Sequence, residues 1–509
     1  MSERVTPPQL NYDNILPLAI ESRSNRREFL PVNGQSFSNS TGATVVRIDV
    51  NADSMLDASH SYLECQITND NADADTGLSL NPFTPAWIQR LRIECAGVVL
   101  EDINEYSRLF AMLSLNQCPE GYIAKNYVNQ GLYAKEKAAN LQSTGAVVPG
   151  NGTTANAASA ILGSEPDVLH YPMSAQGQIK GNSRTTTTGV VAEAAANRPT
   201  TTGAAYNVGK AQDDGNRIGP NRSKTLCIPL VSGWLNMDKY IPLVMMNNGF
   251  TIELTLCDAN RIGVSQTETN GAQGNLVNSA WTVSGVKYVA HLIDLDRSFY
   301  DRLRMVMEQT QGSVLQLAGQ TYRHYVGDLP AAASEYTITL PARVKSVKSI
   351  FGTFITATQM GSNANYDTSV FQSADINNFR FEIGSVRYPQ TNVNCQTPQF
   401  LVELQKAWGK LGDYQHQQAY EWKHTRNVQS VRDGQDNATA LLSAFTLGYD
   451  FEAFARVALE AGINTSDRSL PINFIVDKGT TTGNVRADFF VLIDAIYYIN
   501  LDGSASASH

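Results

Sequence analysis

The chain has 509 residues, of which 42% are hydrophobic and only 17% charged, with a formal net charge of −9. That length exceeds what one hydrophobic core supports, so two or more domains are required. The acidic balance excludes a protein that wraps nucleic acid over its whole surface, and no run reaches the roughly 18 apolar residues of a membrane span.

Residues 1–42 read as a Pro-containing arm. Its opening "MSERVTPPQL" has no apolar core of a secretory signal, so no export by that route is expected. The arm carries one basic cluster, Arg23, Arg26 and Arg27. Such a cluster is a solvated arm, or one that reaches a neighbouring chain, an acidic surface or a membrane. Strands follow. "TVVRIDV" alternates Val46, Ile48 and Val50 against Arg47 and Asp49, and "SYLECQIT" places Leu63, Cys65 and Ile67 in register. "RLRIECAGVVL" gives two strands with Ala96-Gly97 as the turn. A helix is expected next, with Asp102 as N-cap, Glu105 three residues on, and Ile103, Tyr106, Phe110 and Leu113 as its apolar stripe.

From about residue 117 to 223 the chain is poor in large apolar residues and rich in Gly, Thr, Ala and Asn. Such a stretch cannot bury a core of its own and reads as a long loop insertion within a domain. Strands resume with "KTLCIPLV", "FTIELTLCD" and "WTVSGVKYVAHLIDLD", and a short helix over "RSFYDRLRMVMEQ" links to the second half.

There the script repeats. "EYTITLPARV" and "SVKSIFGTFI" are strands, and "INNFRFEIGSV" (376–386) echoes "IQRLRIECAGV" (88–98), with Arg and Glu between alternating apolar residues in both. A helix follows again, with Thr397 as N-cap, Pro398 at its first position and Phe400, Leu401, Leu404, Trp408 and Leu411 as the stripe. "AFTLGYDFEAF", "LPINFIV" and "ADFFVLIDAIYYINLDG" complete the set, the last as a strand buried on both faces. The echo is therefore a domain-sized duplication of a mainly antiparallel β unit. Each unit has roughly eight strands, the number of a jelly roll. The expected fold is mainly all-β: two tandem eight-stranded jelly-roll sandwiches with short helices and one long insertion. The expected boundaries are an arm over 1–42, a first jelly roll over 43–296 and a second over 297–509. Three such chains around a three-fold axis would present six near-equivalent lobes.

Four segments, "MLDASHSYLECQI" (55–67), "WIQRLRIECAGVVLEDINEYSRL" (87–109), "LPARVKSVKSIFGTF" (340–354) and "LGYDFEAF" (447–454), resemble double jelly-roll major capsid proteins of DNA viruses, in the style of polinton-like viruses, virophages and adintoviruses. The resemblance implies a homotrimeric, pseudo-hexagonal building block of an icosahedral capsid and a place in the virion. It implies strands standing across the shell, with long loops forming outward towers that the insertion would suit. It also implies contact with neighbouring capsomers and with penton and minor capsid proteins, with an underlying membrane left open.

No catalytic, cofactor or metal site is expected. Phosphate-loop, dinucleotide, zincin and hydrolase-elbow motifs are all absent. Asp70, Asp73 and Asp75 offer hard oxygen ligands but lack the spacing of a calcium loop, and read as an acidic turn. His416 and His424 with Asp413 and Glu421 lack the convergence that zinc demands; Tyr420 and Trp422 beside them suit a core or a subunit contact. Arg343, Lys345 and Lys348 read as a solvated strand end, with charge pairing between subunits as the alternative. The six cysteines are scattered without a CxxC, which points to a reducing compartment, with Cys65 and Cys95 as small core hydrophobes. The competing reading is a carbohydrate-binding or adhesin-like β-sandwich spike protein. It needs aromatics clustered in loops, and the 117–223 insertion has few.

Overall fold

The computed structural model describes residues 21–38, 44–71, 76–81, 84–117, 217–218, 221–269, 272–309, 314–356, 368, 371–409, 411, 445–453, 461–467, 470–479 and 484–509. Eight strands build the first lobe: β1 (Ser22–Phe29), β2 (Val45–Val50), β3 (Met55–Asn69), β4 (Ile88–Cys95), β5 (Val98–Asn104), β6 (Ser223–Ile228), β7 (Phe250–Leu256) and β8 (Trp281–Leu295). Helix α1 (Tyr106–Gln117) follows β5, and α2 (Arg297–Gln309) leads to the second lobe. There the strands are β9 (Val314–Leu329), β10 (Glu335–Leu340), β11 (Val347–Thr356), β12 (Ile376–Ile383), β13 (Val386–Asn394), β14 (Thr446–Asp450), β15 (Ile472–Lys478) and β16 (Val485–Asn500), with α3 (Gln399–Ala407) after β13.

The first lobe pairs its strands as β1-β8-β3-β6 and β2-β7-β4-β5, all antiparallel. The second lobe pairs β9-β16-β11-β14 and β10-β15-β12-β13. Adding eight to every label of the first lobe yields the second. Two sheets of four main strands each in this order, packed face to face, are a jelly roll; short strands Ser36–Phe37 and Ile241–Pro242 extend the first lobe's first sheet, and Ala505–Ser508 extends that of the second. The fold is thus the duplicated all-β one that the alternation implied.

The opening echo carries through to burial. β4 and β12 show the same sequence of buried and half-buried positions along all eight residues. Leu91, Ile93 and Cys95 enter the first core, and Phe379, Phe381 and Ile383 the second. On the wet face Arg92 pairs with Glu94, and Arg380 with Glu382. Each strand turns back through a two-residue hairpin. Ala96 (φ 46) and Gly97 (φ 85) both take the left-handed conformation of a type I′ turn, and Gly384 (φ 61) takes the first position of the other.

The two cores differ in chemistry. The first is mainly aliphatic, around Val46, Ile48, Leu63, Leu91, Ile252 and Leu254. The second is built on phenylalanines: Phe381 and Phe474 rings lie 5.4 Å apart, and Phe474 and Phe489 rings 4.9 Å apart. Cys65, Cys95, Cys257 and Cys395 are buried free thiols that fill volume; Cys118 lies outside the described residues.

Several expectations need correction. The arm is not free throughout: Ser22–Phe29 pairs along its whole length with β8, so it is the edge strand of the first sheet. Arg26 lies over the Tyr62 ring and Arg27 over Phe29, so two of the three basic residues rest on their own lobe. Asp102 does not cap a helix. It is still in β5 and grips Arg90, and the backbone carbonyl of Glu105 receives the first turn of α1 instead. Ile103 belongs to that strand as well. Thr397 gives its hydroxyl to the Asn394 carbonyl, and Pro398 holds the cap position of α3. Leu411 is exposed rather than part of the apolar stripe. The 117–223 insertion falls between α1 and β6, and residues 118–216 lie outside the described residues. Its end contributes Arg217–Ile218 to a small third sheet, in the order Ala272–Val277, Gly263–Thr269, Thr76–Leu80, Arg217–Ile218.

The Phe381 ring is fully buried in the aromatic core, so Phe381→Ala should cost about 3–5 kcal/mol. Chemical denaturation monitored by tryptophan fluorescence reads the loss.

Candidate functional site: the seam between the two lobes

The lobes stand side by side with like ends together. At one end the β3–β4 connection of the first lobe meets the β11–β12 connection of the second, where Asn81 Nδ2 donates to Thr368 Oγ1 (3.0 Å). At the other end Asn247 N donates to the Gly503 carbonyl (2.8 Å). Between them, β5 and α1 of the first lobe press against β9 and β16 of the second. Helix α1 is the wedge, with Tyr106 through Asn116 all buried.

At the centre two backbones touch. A Cβ added to Gly233 would lie 2.5 Å from the Gln320 carbonyl oxygen and 2.8 Å from Tyr497 Oη. A Cβ on Gly319 would lie 2.7 Å from the Gly233 carbonyl oxygen. Only glycine permits this approach on either side. The neighbouring Trp234 sets its ring edge-on to Tyr497 (5.1 Å) and to Phe250 (5.9 Å), joining one lobe's core to the other lobe's last strand. Accordingly Leu317, Phe490, Tyr497 and Ile499 of the second lobe belong to the first lobe's apolar cluster.

Glu101 of β5 sits beside this contact, 2% exposed. Its carboxylate accepts from Gly233 N (2.8 Å), Trp234 N (3.3 Å), Ser232 Oγ and, across the seam, Thr321 Oγ1. Burial raises its pKa, and these four donors pull against that without reversing it.

Next to it runs a chain of ions that crosses the seam twice. Arg108 Nε of α1 lies 3.0 Å from Asp488 Oδ2 of β16, both fully buried. Asp488 Oδ1 also meets His324 Nε2 (2.9 Å) and Arg486 Nη2 (2.8 Å). Arg486 continues to Glu105 Oε1 (3.0 Å), whose other oxygen holds Arg261. The Arg108 guanidinium also lies over the Phe371 ring at 4.9 Å. Burial alone would raise the pKa of Asp488. The His324 hydrogen bond and the charges of Arg108 and Arg486 outweigh it and hold the carboxyl well below the usual range. Glu105 is likewise held down, by Arg261 and Arg486 against its burial.

This arrangement holds the two lobes together. Among the described residues no three side chains converge as metal ligands, and no helix is long and apolar enough to cross a membrane. Asp70 accepts from Thr282; Asp73 and Asp75 lie outside the described residues, as do Asp413, His416, Tyr420, Glu421, Trp422 and His424. Of the basic trio, Arg343 is exposed and Lys345 reaches Ser508 Oγ (3.0 Å). Lys348 is no solvated strand end: it is buried within the second lobe, 2.6 Å from Glu452 and 3.3 Å from Asp494. The seam residues Glu101, Arg108, Gly233, Gly319 and Asp488 were not singled out by sequence reasoning. Arg108 just before the apolar run "LFAMLSL" and Asp488 just before "FFVLI" are the signals that could have found two of them.

The chain is a double jelly-roll protein, and solved structures of that fold align with nearly all of it. The PBCV-1 virus capsid aligns at a TM-score of 0.54 with 10% identity, covering 98% of this chain and 99% of that one. Faustovirus major capsid protein aligns at 0.53 with 9% identity, covering 95% and 92%. PBCV-1 VP54, fitted into a reconstruction of the virophage Sputnik, aligns at 0.50 with 9% identity, covering 98% and 99%. At such identities the likeness is one of fold. No protein-family model matches the chain, and no curated protein matches it by sequence.

The seam's chemistry can be tested by substitution and by pH. Gly233→Ala overpacks the backbone contact and should cost about 1–3 kcal/mol or more, read as a lowered thermal midpoint. In acid, the unfolded chain binds protons that Asp488 and Glu105 refuse when folded, so stability falls as pH drops below about 4. Glu101 has the opposite sign, its share of stability being lost as pH rises past the ordinary glutamate range. Asp488→Asn leaves Arg108 uncompensated in the interior, at a cost of about 3–5 kcal/mol near neutral pH. Its thermal midpoint should therefore be lower but flatter across acid pH than that of the unaltered chain.

Proposed function

We propose that this chain is a major capsid protein: three copies form a pseudo-hexagonal block, and many blocks tile an icosahedral shell. The observation that carries the reading is the repetition itself. Two lobes with the same strand order stand side by side, like ends together, locked by a seam that permits little relative motion. Three such pairs around an axis make six near-equivalent corners. The fold is shared with the PBCV-1 capsid and the Faustovirus major capsid protein.

On this reading the protein works by assembly and not by catalysis, and its place is the virion. Its first partner is itself. A closed trimer of this kind buries on the order of 2,000–5,000 Å² per interface, while contacts between blocks are smaller and individually weak. Penton and minor capsid proteins complete the shell where hexagonal tiling stops. The net charge of −9 is that of a wall and not of a sequence-specific nucleic-acid binder.

Size-exclusion chromatography with light scattering should give three times the chain mass, and negative-stain images should show hexagonal outlines. A particle that remains a monomer at micromolar concentration and above overturns the reading.

A further inference from the structure

Lys348 is the extra residue of a β-bulge. Val347 pairs with Ile493 and Ser349 with Leu492, so β11 carries one residue more than β16 across this step. A bulge re-aims the side chain it displaces. Here it places a buried lysine beside Asp494 of β16. The Lys348 carbonyl also accepts from Phe451 N (2.7 Å), which brings Glu452, just past β14, to the same point.

Lys348 Nζ lies 2.6 Å from Glu452 Oε1 and 3.3 Å from Asp494 Oδ1. The three side chains are only 6%, 9% and 2% exposed, so bulk water has little access. The other oxygen of Asp494, Oδ2, accepts from Ser346 Oγ (2.7 Å). An amine thus faces a carboxyl whose far oxygen is held by a hydroxyl. A second carboxyl stands within proton-transfer reach of the nitrogen.

Other cations of the chain lack this combination. Lys287 also faces two carboxyl groups, Glu28 (3.2 Å) and Glu64 (3.1 Å), but those side chains are 22% to 43% exposed. There water solvates the ions, and an amide has no advantage over them. Arg108 and Asp488 are fully buried, but a guanidinium stays protonated and is a poor nucleophile. Lys478 directs its ammonium at the Ala331 and Gly479 carbonyls. Only an amine and a carboxyl held together in a dry site lose a solvation cost by condensing.

We infer that Lys348 and Asp494 join in an isopeptide bond, with Glu452 as the proton carrier. Glu452 Oε1 takes one proton from the ammonium, and the freed Nζ lone pair attacks Asp494 Cγ. The Nζ–Cγ bond forms, and charge gathers on Oδ2, where the Ser346 hydroxyl donates to it. The Cγ–Oδ1 bond then breaks, and Oδ1 leaves as water. Its two hydrogens are the two that Nζ loses, one of them passed on by Glu452. The hydrogen left on Nζ is the amide N–H, and Glu452 ends as it began. The ion pair supplies every atom of the product, and fixed proximity supplies the rate. The bond ties the third strand of the second lobe to its last. It holds whether or not the chain forms trimers.

Mass spectrometry of the denatured full chain tests the bond. The expected mass is one water molecule below that of the sequence. Proteolysis should release a branched peptide that contains both Lys348 and Asp494, while Lys287 is recovered in an unbranched one. Lys348→Arg keeps the cation but removes the amine, and Glu452→Gln keeps the shape but removes the proton carrier. Both variants should retain the water, with circular dichroism checking that they fold. The full sequence mass in the unaltered chain overturns the inference even if neither variant folds. So does a water loss that maps within a single unbranched peptide. Water loss that persists in Glu452→Gln overturns the part given to Glu452.

Discussion

The arrangement of this molecule depends on the contact of two backbones at Gly233 and Gly319. A Cβ on either residue would meet the opposite carbonyl oxygen at 2.5 or 2.7 Å, so the backbones would have to move apart slightly and every neighbouring contact would be strained. The Thr321–Glu101 hydrogen bond, the Trp234–Tyr497 ring contact and the Arg108–Asp488 pair all lie close enough to feel that shift. The lobes therefore behave as one body whose relative angle is set by close packing, not by a linker. Buried ion pairs are weak sources of net stability but strong sources of specificity when their geometry is demanding. Arg486 and Asp488 of the second lobe are clasped between Glu105 and Arg108 of the first, a set that accepts one alignment and penalises a slipped one.

The topology has a kinetic counterpart. β1 pairs with β8, and β9 with β16, so the first and last strands of each lobe are neighbours. Such pairings close long loops before they return any contact energy, which makes folding slow compared with that of a helical protein of equal size. The seam adds a further step, because Arg108 and Asp488 come together only after each lobe exists. The aliphatic first core and the aromatic second core show that the repeat conserves pattern while its chemistry drifts. What is retained between β4 and β12 is the alternation, the Arg–Glu pair on the wet face and the tight hairpin.

Much of the fold was legible because period-two alternation is a direct consequence of one buried and one solvated face. The echo of Leu91-Arg92-Ile93-Glu94 in Phe379-Arg380-Phe381-Glu382 carries the duplication by itself. Helix starts were less legible: Asp102 looked like a cap, but its partner Arg90 lies 12 positions upstream on the neighbouring strand, a cross-strand relation no local pattern displays. The first strand was hidden for a related reason. β1 is an edge strand with polar residues on both faces, so it lacks the alternation that betrays a half-buried one. The seam was the least legible part. A glycine demanded by a distant backbone looks like any other glycine in a loop, and Lys348 gives no local sign that Glu452 and Asp494 will surround it. Arg108 and Asp488 could have been noticed as charges set beside apolar runs, but only tertiary structure says that they meet.

The connections of each lobe are sorted by end. Strands β6 and β14 begin at the pole where Asn81 meets Thr368, through the Asn69–Arg222 and Phe445–Phe371 backbone bonds, whereas the tight hairpins at Ala96-Gly97 and Gly384 turn at the opposite pole. Among the described residues the weld is made by Glu101, Arg108, Gly233, Gly319, Thr321 and Asp488. A change at any of them alters how the lobes sit, so divergence in evolution is held to a narrow path at this centre.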